Sequence, residues 1–533
     1  MQFVGNSVRN LGRFCEAGLI VGLCYLVGGS PTPSVNEPHY LGKARHYWIP
    51  EWCAGDFFLE SADAHEVFYW SFGWVTQFLS LPQSAWLGRL IVWTFFAFAW
   101  LTLVRSVTRA RWAGLLSAIL LLPLIHYGHL AGEWLIGGVE AKGFAWPFVF
   151  LGIASAVQGR WPMVWPLLGI ASSFHILVGG WAVIACLIAW QSRRRIDGLS
   201  WQELAVWLVI GGLCSLPGLI PALQLTSQST AEELREANLT YTFRRLSHHL
   251  VFYRFAKWNP WLPNFNITRP VSFAALVFVW WRISRWHPHN DRLSRLRAIV
   301  NASLCIACAG IVLDVVLGPF HALRASVLRY YWFRLSDILV AAGVAILMTT
   351  SLEYPERLRR SLLFGGIIVA AFGIGGIMPK LGFGARSTAL QQQSWRGVLD
   401  GVDVHEIDDA WLDICRWVKD ASHLPQDAIF LTPTRQQTFK WYAQRPDVVT
   451  WKDVPQDAAG LNAWWARREA VYELGDWPWD HPEACANVIE AYGVTHVIWP
   501  VDQGDGTAAE KQPPGEVQQV YRNDLFRIFA LPR

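Results

Sequence analysis

Apolar runs close to or above the roughly 20 residues needed to cross hydrocarbon recur from the N-terminus through Met378. A chain of this pattern is a polytopic α-helical membrane protein, because a helix satisfies its own backbone where water is absent. Charged residues make up 16% of the 533, below the roughly 25% of a soluble domain. Past Met378 the chain turns polar and rich in Trp up to Arg533. It therefore divides into a membrane domain, 1–380, and a soluble domain, 381–533, of ordinary domain size.

A formal charge of +4 with Arg scattered between apolar runs excludes a nucleic-acid binder, and the placement of Arg reports topology instead. Arg9 and Arg13 put the N-terminus inside, ahead of a first span from Phe14 to Gly29; the alternative for this stretch is a cleaved signal peptide. Residues 30–83 then form a large first external loop, in which Val67 to Leu81 reads as an amphipathic helix lying in the interface. Ser84 to Val104 returns to Arg105, Arg109 and Arg111 on the inside. Further spans are expected at Trp112 to Tyr127, Phe144 to Val157, Leu204 to Leu223, Val271 to Trp281, Ala298 to Leu317, Leu335 to Thr350 and Leu362 to Met378. Met163 to Trp190 is either one span or a two-helix hairpin about His175. The basic loops give about eleven spans, N-terminus in and C-terminus out. The protein is thus expected in a membrane, the bacterial inner membrane, with its C-terminal domain extracytoplasmic.

The first loop concentrates acidic and imidazole groups among aromatics: Glu37, His39, His46, Glu51, Asp56, Glu60, Asp63, His65 and Glu66. External carboxylates packed with aromatic rings are candidates for a site. Glu37 can instead serve a turn in Asn36-Glu37-Pro38, and Gly55-Asp56 is itself a turn signal. His39 and His46 are two helical turns apart and would share a face of a helix. Glu140 and Lys142 sit in GGVEAKG, where glycines permit close backbone approach and the two charges can pair locally. Arg324, Arg329 and Arg334 lie in an external segment before a late span, and planar guanidinium groups suit phosphate oxygens. Snorkelling to the interface accounts for them equally well.

In the tail, Trp411, Ile414, Cys415 and Val418 have helical spacing. AIFLTP, VVTW, VTHVIWP and LFRIFAL read as strands, with helices near Leu461 to Tyr472 and Glu483 to Tyr492 between them, so a small α/β domain is expected.

NEPHYL, GDFFLESADAH, GGVEAKGFA, FHILVGG, AIFLTP, VVTWKDVP and GVTHVI resemble an uncharacterised bacterial membrane-protein family. Its plan of a short cytoplasmic start, one span and a large acidic external loop is similar to that of the C-type (GT-C) membrane glycosyltransferases. That resemblance implies an inverting transferase that takes a sugar from a polyprenyl-phosphate-linked donor to an extracytoplasmic glycan, lipid or protein acceptor. It implies Glu37 as the catalytic base, Asp56 as its catalytic partner, and His39, Asp63, Glu140, Lys142, His175, Arg324, Arg329 and Arg334 as substrate-binding residues. Members that use a divalent metal often carry adjacent acidic residues where this chain has Asn36-Glu37, so no cofactor is expected. No Gly-rich phosphate loop is present, which disfavours a nucleotide-sugar donor. The rival readings are a transporter or flippase, for which Asp314 is the one clear acidic residue deep in an apolar run, and a non-catalytic scaffold.

Overall fold

The apolar runs fold as helices whose ends follow local chemistry. In the computed structural model, Asn290 caps the helix Asp291–Val316 by accepting the Leu293 N–H at 2.8 Å, a common stop for an otherwise unpaired first-turn donor. The structure describes residues 2–532 except 228, 253–267, 288–289, 355–386, 394–398, 400, 423, 426 and 502–510. The expected span Leu362 to Met378 lies outside the described residues.

The chain forms two units. The first comprises Met1–Gly29, Gly88–Gln224 and Asn238–Gly384; the second comprises Ser30–Leu87, Leu225–Ala237 and Ala385–Arg533. The first external loop is therefore grouped with the C-terminal tail, whereas the sequence-based boundary at 380 had placed it with the membrane helices.

Among the described residues, five helices are long and apolar enough to cross a membrane: Leu81–Val107, Ile176–Arg193, Trp201–Ser227, Asp291–Val316 and Arg334–Glu353. Ala113–Tyr127 and Ala141–Val157 are shorter apolar helices. The helix Arg334–Thr350 is buried along its whole length, whereas Trp201–Ser227 buries few side chains and presents Val206, Val209, Leu213 and Leu223 outward. The protein is an integral membrane protein.

Met163 to Trp190 is two helices, Trp161–Phe174 and Ile176–Arg193, broken at His175, whose backbone is extended. The two pack closely enough that a Cβ at Gly179 would lie 2.2 Å from the Ser172 amide nitrogen. Small residues at a helix crossing permit such an approach in lipid, where van der Waals packing drives association.

In the second unit, Glu37–Trp48 is a helix that opens with Pro38 in its first turn. Glu66–Ser71 is a short helix followed by a 3₁₀ turn, Gly73–Gln77, in the region read as one interfacial helix. Val67, Phe68, Phe72 and Val75 face inward, and Trp70, Trp74 and Phe78 face out.

The tail builds one sheet from β1 (Phe430–Leu431), β2 (His496–Pro500), β3 (Gln518–Arg522) and β4 (Phe526–Ala530), in the order β1-β2-β4-β3. β1 and β2 are parallel, and the other pairs are antiparallel. The helix Val404–Asp420 is capped by Asp403 and turns Trp411, Ile414, Cys415 and Val418 onto Phe430, Phe526 and Ile528. VVTW does not form a strand: Val448 N–H goes to the Phe430 carbonyl and Trp451 N–H to that of Thr434, and only one isolated bridge, Phe430 to Asp447, is made there. β3 was not anticipated, because QQVYR is a largely exposed edge with no apolar alternation.

Candidate functional site

The two units each bury a cluster of charged side chains. In the first unit, residues 128–140 connect Ala113–Tyr127 to Ala141–Val157 without regular structure. A buried segment of this kind needs partners for its amide groups. Asp337, in the first turn of Arg334–Thr350, supplies them: its carboxylate accepts the N–H groups of Leu130 at 2.8 Å, Ala131 at 2.9 Å and Glu133 at 3.4 Å.

This anchoring places Glu133 against the cation one turn back on the same helix. Arg334 Nε lies 2.8 Å from Glu133 Oε2, while Lys142 Nζ lies 3.0 Å from Glu133 Oε1 and 3.1 Å from Glu140 Oε1. Arg334 also donates to His175 Nε2 at 3.1 Å, so the His175 proton sits on Nδ1. The break in the helical hairpin is what brings His175 there. The Arg334 guanidinium lies 4.0 Å from the centre of the Tyr331 ring, and the Lys142 ammonium 4.2 Å from that of Trp134. All four charged side chains are buried. Burial pushes the Glu133 carboxyl up, but Arg334 and Lys142 hold it below the ordinary glutamate value, so it is ionised at neutral pH. Glu140, Lys142, His175 and Arg334, expected from the sequence, thus come together with Glu133 and Asp337.

Arg324 and Arg329 take other partners. Arg324 pairs with Asp314 at 2.6 Å, which gives that buried carboxylate a local counter-ion. Arg329 donates to Asn238 and lies beside the rings of Tyr241 and Tyr330.

The second unit centres on Lys440, in the short helix Phe439–Ala443. Its ammonium lies 2.8 Å from Asp447 Oδ1, 2.8 Å from Asp453 Oδ2 and 3.3 Å from Asp56 Oδ2, all buried. Asp56 also accepts the N–H groups of Phe58 at 3.1 Å, Leu59 at 2.9 Å and Asp447 at 3.1 Å. His39 Nδ1 is 3.6 Å from Asp453 Oδ1, and its ring packs on Phe58. Burial lowers the proton affinity of Lys440, but the three carboxylates outweigh it and raise the value well above that of ordinary lysine. Burial, with Asp56 and Asp453 adding to it against Lys440, pushes Asp447 up to about 6. Asp453 goes the other way: burial raises it, and Lys440 and His39 more than reverse that.

The remaining loop residues are held locally. Glu37 Oε2 accepts the Ser34 N–H at 2.6 Å, closing the turn that leads into its own helix. Asp63 accepts from the Tyr69 hydroxyl and the His65 N–H and lies 3.2 Å from Lys43. Burial pushes its carboxyl up, but Lys43, His65 and Tyr69 bring it down to about 2. His46 Nδ1 donates to the Trp52 carbonyl, 2.9 Å away, so it does not share a partner with His39.

Sequence reasoning passed over Asp337, Lys440, Asp447 and Asp453. Asp337 was signalled by its position three residues past Arg334 at the mouth of an apolar run, where an acid requires a partner. The tail residues carry no such signal, since Lys and Asp in a soluble domain are most often surface groups.

A model of a domain of unknown function, DUF6798, matches residues 409–471, a part of the tail. No curated protein sequence matches the chain. Among solved structures, the chain is similar to the oligosaccharyltransferase of Archaeoglobus fulgidus in its apo form. The TM-score is 0.51 at 11% identity, over 92% of this chain and 69% of that one. The same enzyme in complex with Zn and sulfate aligns with a TM-score of 0.41 and 12% identity, over 92% of this chain and 68% of that one. The fold thus resembles that of this archaeal enzyme.

Proposed function

We propose that the protein is an inverting membrane glycosyltransferase of GT-C type, moving a sugar from a polyprenyl-phosphate-linked donor to an acceptor on the extracytoplasmic side of a bacterial inner membrane. The observation that carries this reading is the buried group of Arg334, Lys142, Glu133, Glu140 and His175 in the membrane unit. Such a group suits anionic phosphate: Arg334 offers a planar fork, Lys142 a compact charge, and the carboxylates fix both in place before a ligand arrives. In the transfer, the acceptor oxygen attacks the anomeric carbon and the bond to the donor phosphate breaks, its electron pair staying on the phosphate oxygen. Cations already in position stabilise that developing charge without reorganisation. The oligosaccharyltransferase-like fold supports the same reaction class.

Glu133 and Glu140 hydrogen-bond the sugar or acceptor hydroxyls in this reading. Glu37 and Asp56, each occupied by backbone N–H groups, hold the first loop in shape rather than take the acceptor proton. The test is sugar transfer in membranes from fluorescent polyprenyl-phosphate sugars, comparing wild type with Arg334→Lys at matched expression. Transfer by wild type, with donor affinity reduced in the variant, supports the assignment. Movement of lipid-linked sugar across proteoliposomes without any transfer favours a flippase.

A further inference from the structure

His249 lies on the short helix Ser247–Leu250 of the membrane unit, half-buried. Its Nδ1 bonds the carbonyl of Ala131, in the same segment that Asp337 anchors. A carbonyl only accepts, so Nδ1 carries the proton and Nε2 presents a lone pair. Arg334 and Lys142 on other elements and Arg245 just upstream act on the ring electrostatically, and Arg334 stacks on Tyr331, whose ring neighbours that of His249. His248 stacks beside it with ring centres 4.0 Å apart, Tyr331 lies 6.4 Å away, and Arg269 reaches the His248 carbonyl at 3.4 Å. Glu133 and His129 share the segment of Ala131. Burial pushes the imidazole down to about 3, and Arg334, Lys142 and Arg245 add to that against the Ala131 bond. At neutral pH it is uncharged and a weak base.

The same cations are the ones to which an anion would bind. Burial is the larger cause and remains, but a phosphate or pyrophosphate against these cations offsets their share and sets a negative charge beside the ring, which favours the imidazolium. We propose that His249 is the proton acceptor of this site, made basic by the arrival of an anionic phosphate ligand on Arg334, Lys142 and Arg245. This rests on the glycosyltransferase reading above. The acceptor O–H proton passes to Nε2 as the oxygen bonds the anomeric carbon and the phosphate leaves with the electron pair. A base that gains strength only beside a bound donor leaves the acceptor hydroxyl untouched in its absence.

Deuterium exchange at the imidazole carbon between the two nitrogens, read by peptide mass spectrometry, titrates individual histidines in the full-length protein in nanodiscs. Inorganic pyrophosphate is the probe, with its binding followed separately by thermal stabilisation. The expected result is no midpoint for His249 between pH 5 and 8 without pyrophosphate, and one that has risen inside that window with it, a shift of about three units. His249→Gln should then lower transfer about 10²-fold or more while pyrophosphate still stabilises the protein. Binding of pyrophosphate with an unmoved His249, or full transfer by His249→Gln, overturns the role of His249 alone. No stabilisation by pyrophosphate overturns the phosphate site and the proposal with it.

Discussion

The two buried clusters differ in how their charges balance. In the membrane unit, Arg334, Lys142 and Arg245 stand against Glu133, Glu140 and Asp337, and the last of these is already bound by three backbone N–H groups. In the second unit, one ammonium, Lys440, faces the three carboxylates of Asp56, Asp447 and Asp453, with His39 at the edge. The first arrangement is balanced, three cations against three carboxylates, so an anion added there meets no surplus of negative charge. The second carries surplus negative charge and would repel one, and its partners come from distant parts of the chain, so it works as an internal fastening. Burial and conspicuous charge are common to both, and the surplus of negative charge around Lys440 is what separates a lock from a cluster whose charges balance.

The largest effect should come from cutting the lock. Lys440→Met leaves three buried carboxylates without their cation, and losing one partner of a buried ionic group typically costs about 3–5 kcal/mol. Limited proteolysis should show the second unit opening; an unchanged digestion pattern would break the contrast. Next, Arg334→Lys keeps the charge but not the fork, so donor affinity should fall about ten- to a hundredfold with little change in melting temperature. A variant that melts early yet binds donor normally would make the first cluster a fastening too.

A smaller effect is expected with pH. Burial raises Asp447 to about 6 in the fold, above the ordinary aspartate value of 3.8, so the native state holds this proton more tightly than the unfolded chain does. Its stabilising contribution is complete below about pH 4 and is lost as pH rises through 6. Asp453 has the opposite sense, being depressed by Lys440 and His39 against burial, and contributes stability that is lost only as pH falls below the ordinary aspartate range. Asp447→Asn should therefore gain on wild type in melting temperature between pH 4 and 7. A variant that instead loses ground over that range would show Asp447 to be an ionised, favourably paired group. The smallest change belongs to Glu37→Gln, whose amide oxygen still accepts the Ser34 N–H: transfer within about twofold of wild type is expected, whereas loss of a general base would cost about 10²-fold or more.

Much of this molecule could be read from its sequence where one physical signal dominates. Long apolar runs became helices, and the spacing of Trp411, Ile414, Cys415 and Val418 delivered the core face of the tail helix. The meeting of Glu140, Lys142, His175 and Arg334 was harder, since it requires a broken hairpin and a loop anchored by Asp337, and local pattern specifies neither. Asp56 was conspicuous among aromatics, but its partners lie in the tail, where nothing in the local sequence of Lys440 or Asp447 marks them as buried. VVTW has strand propensity, yet its amide groups are satisfied by the carbonyls of Phe430 and Thr434, so tertiary hydrogen bonding overrides the preference.

The bond from the Asp447 amide to Asp56 joins residues 391 apart in the chain, with the membrane-spanning helices lying between them in sequence. During synthesis at roughly 5–20 residues per second, the first loop exists for roughly 20–80 s before its tail partners are made. Over that interval Asp56 has no Lys440, and Val67, Phe68 and Phe72 belong to a unit still missing its other half. The second unit is thus completed only near the end of translation. A ribosome stalled before residue 440 would leave a chain whose membrane helices can insert but whose first loop remains open to proteases and chaperones.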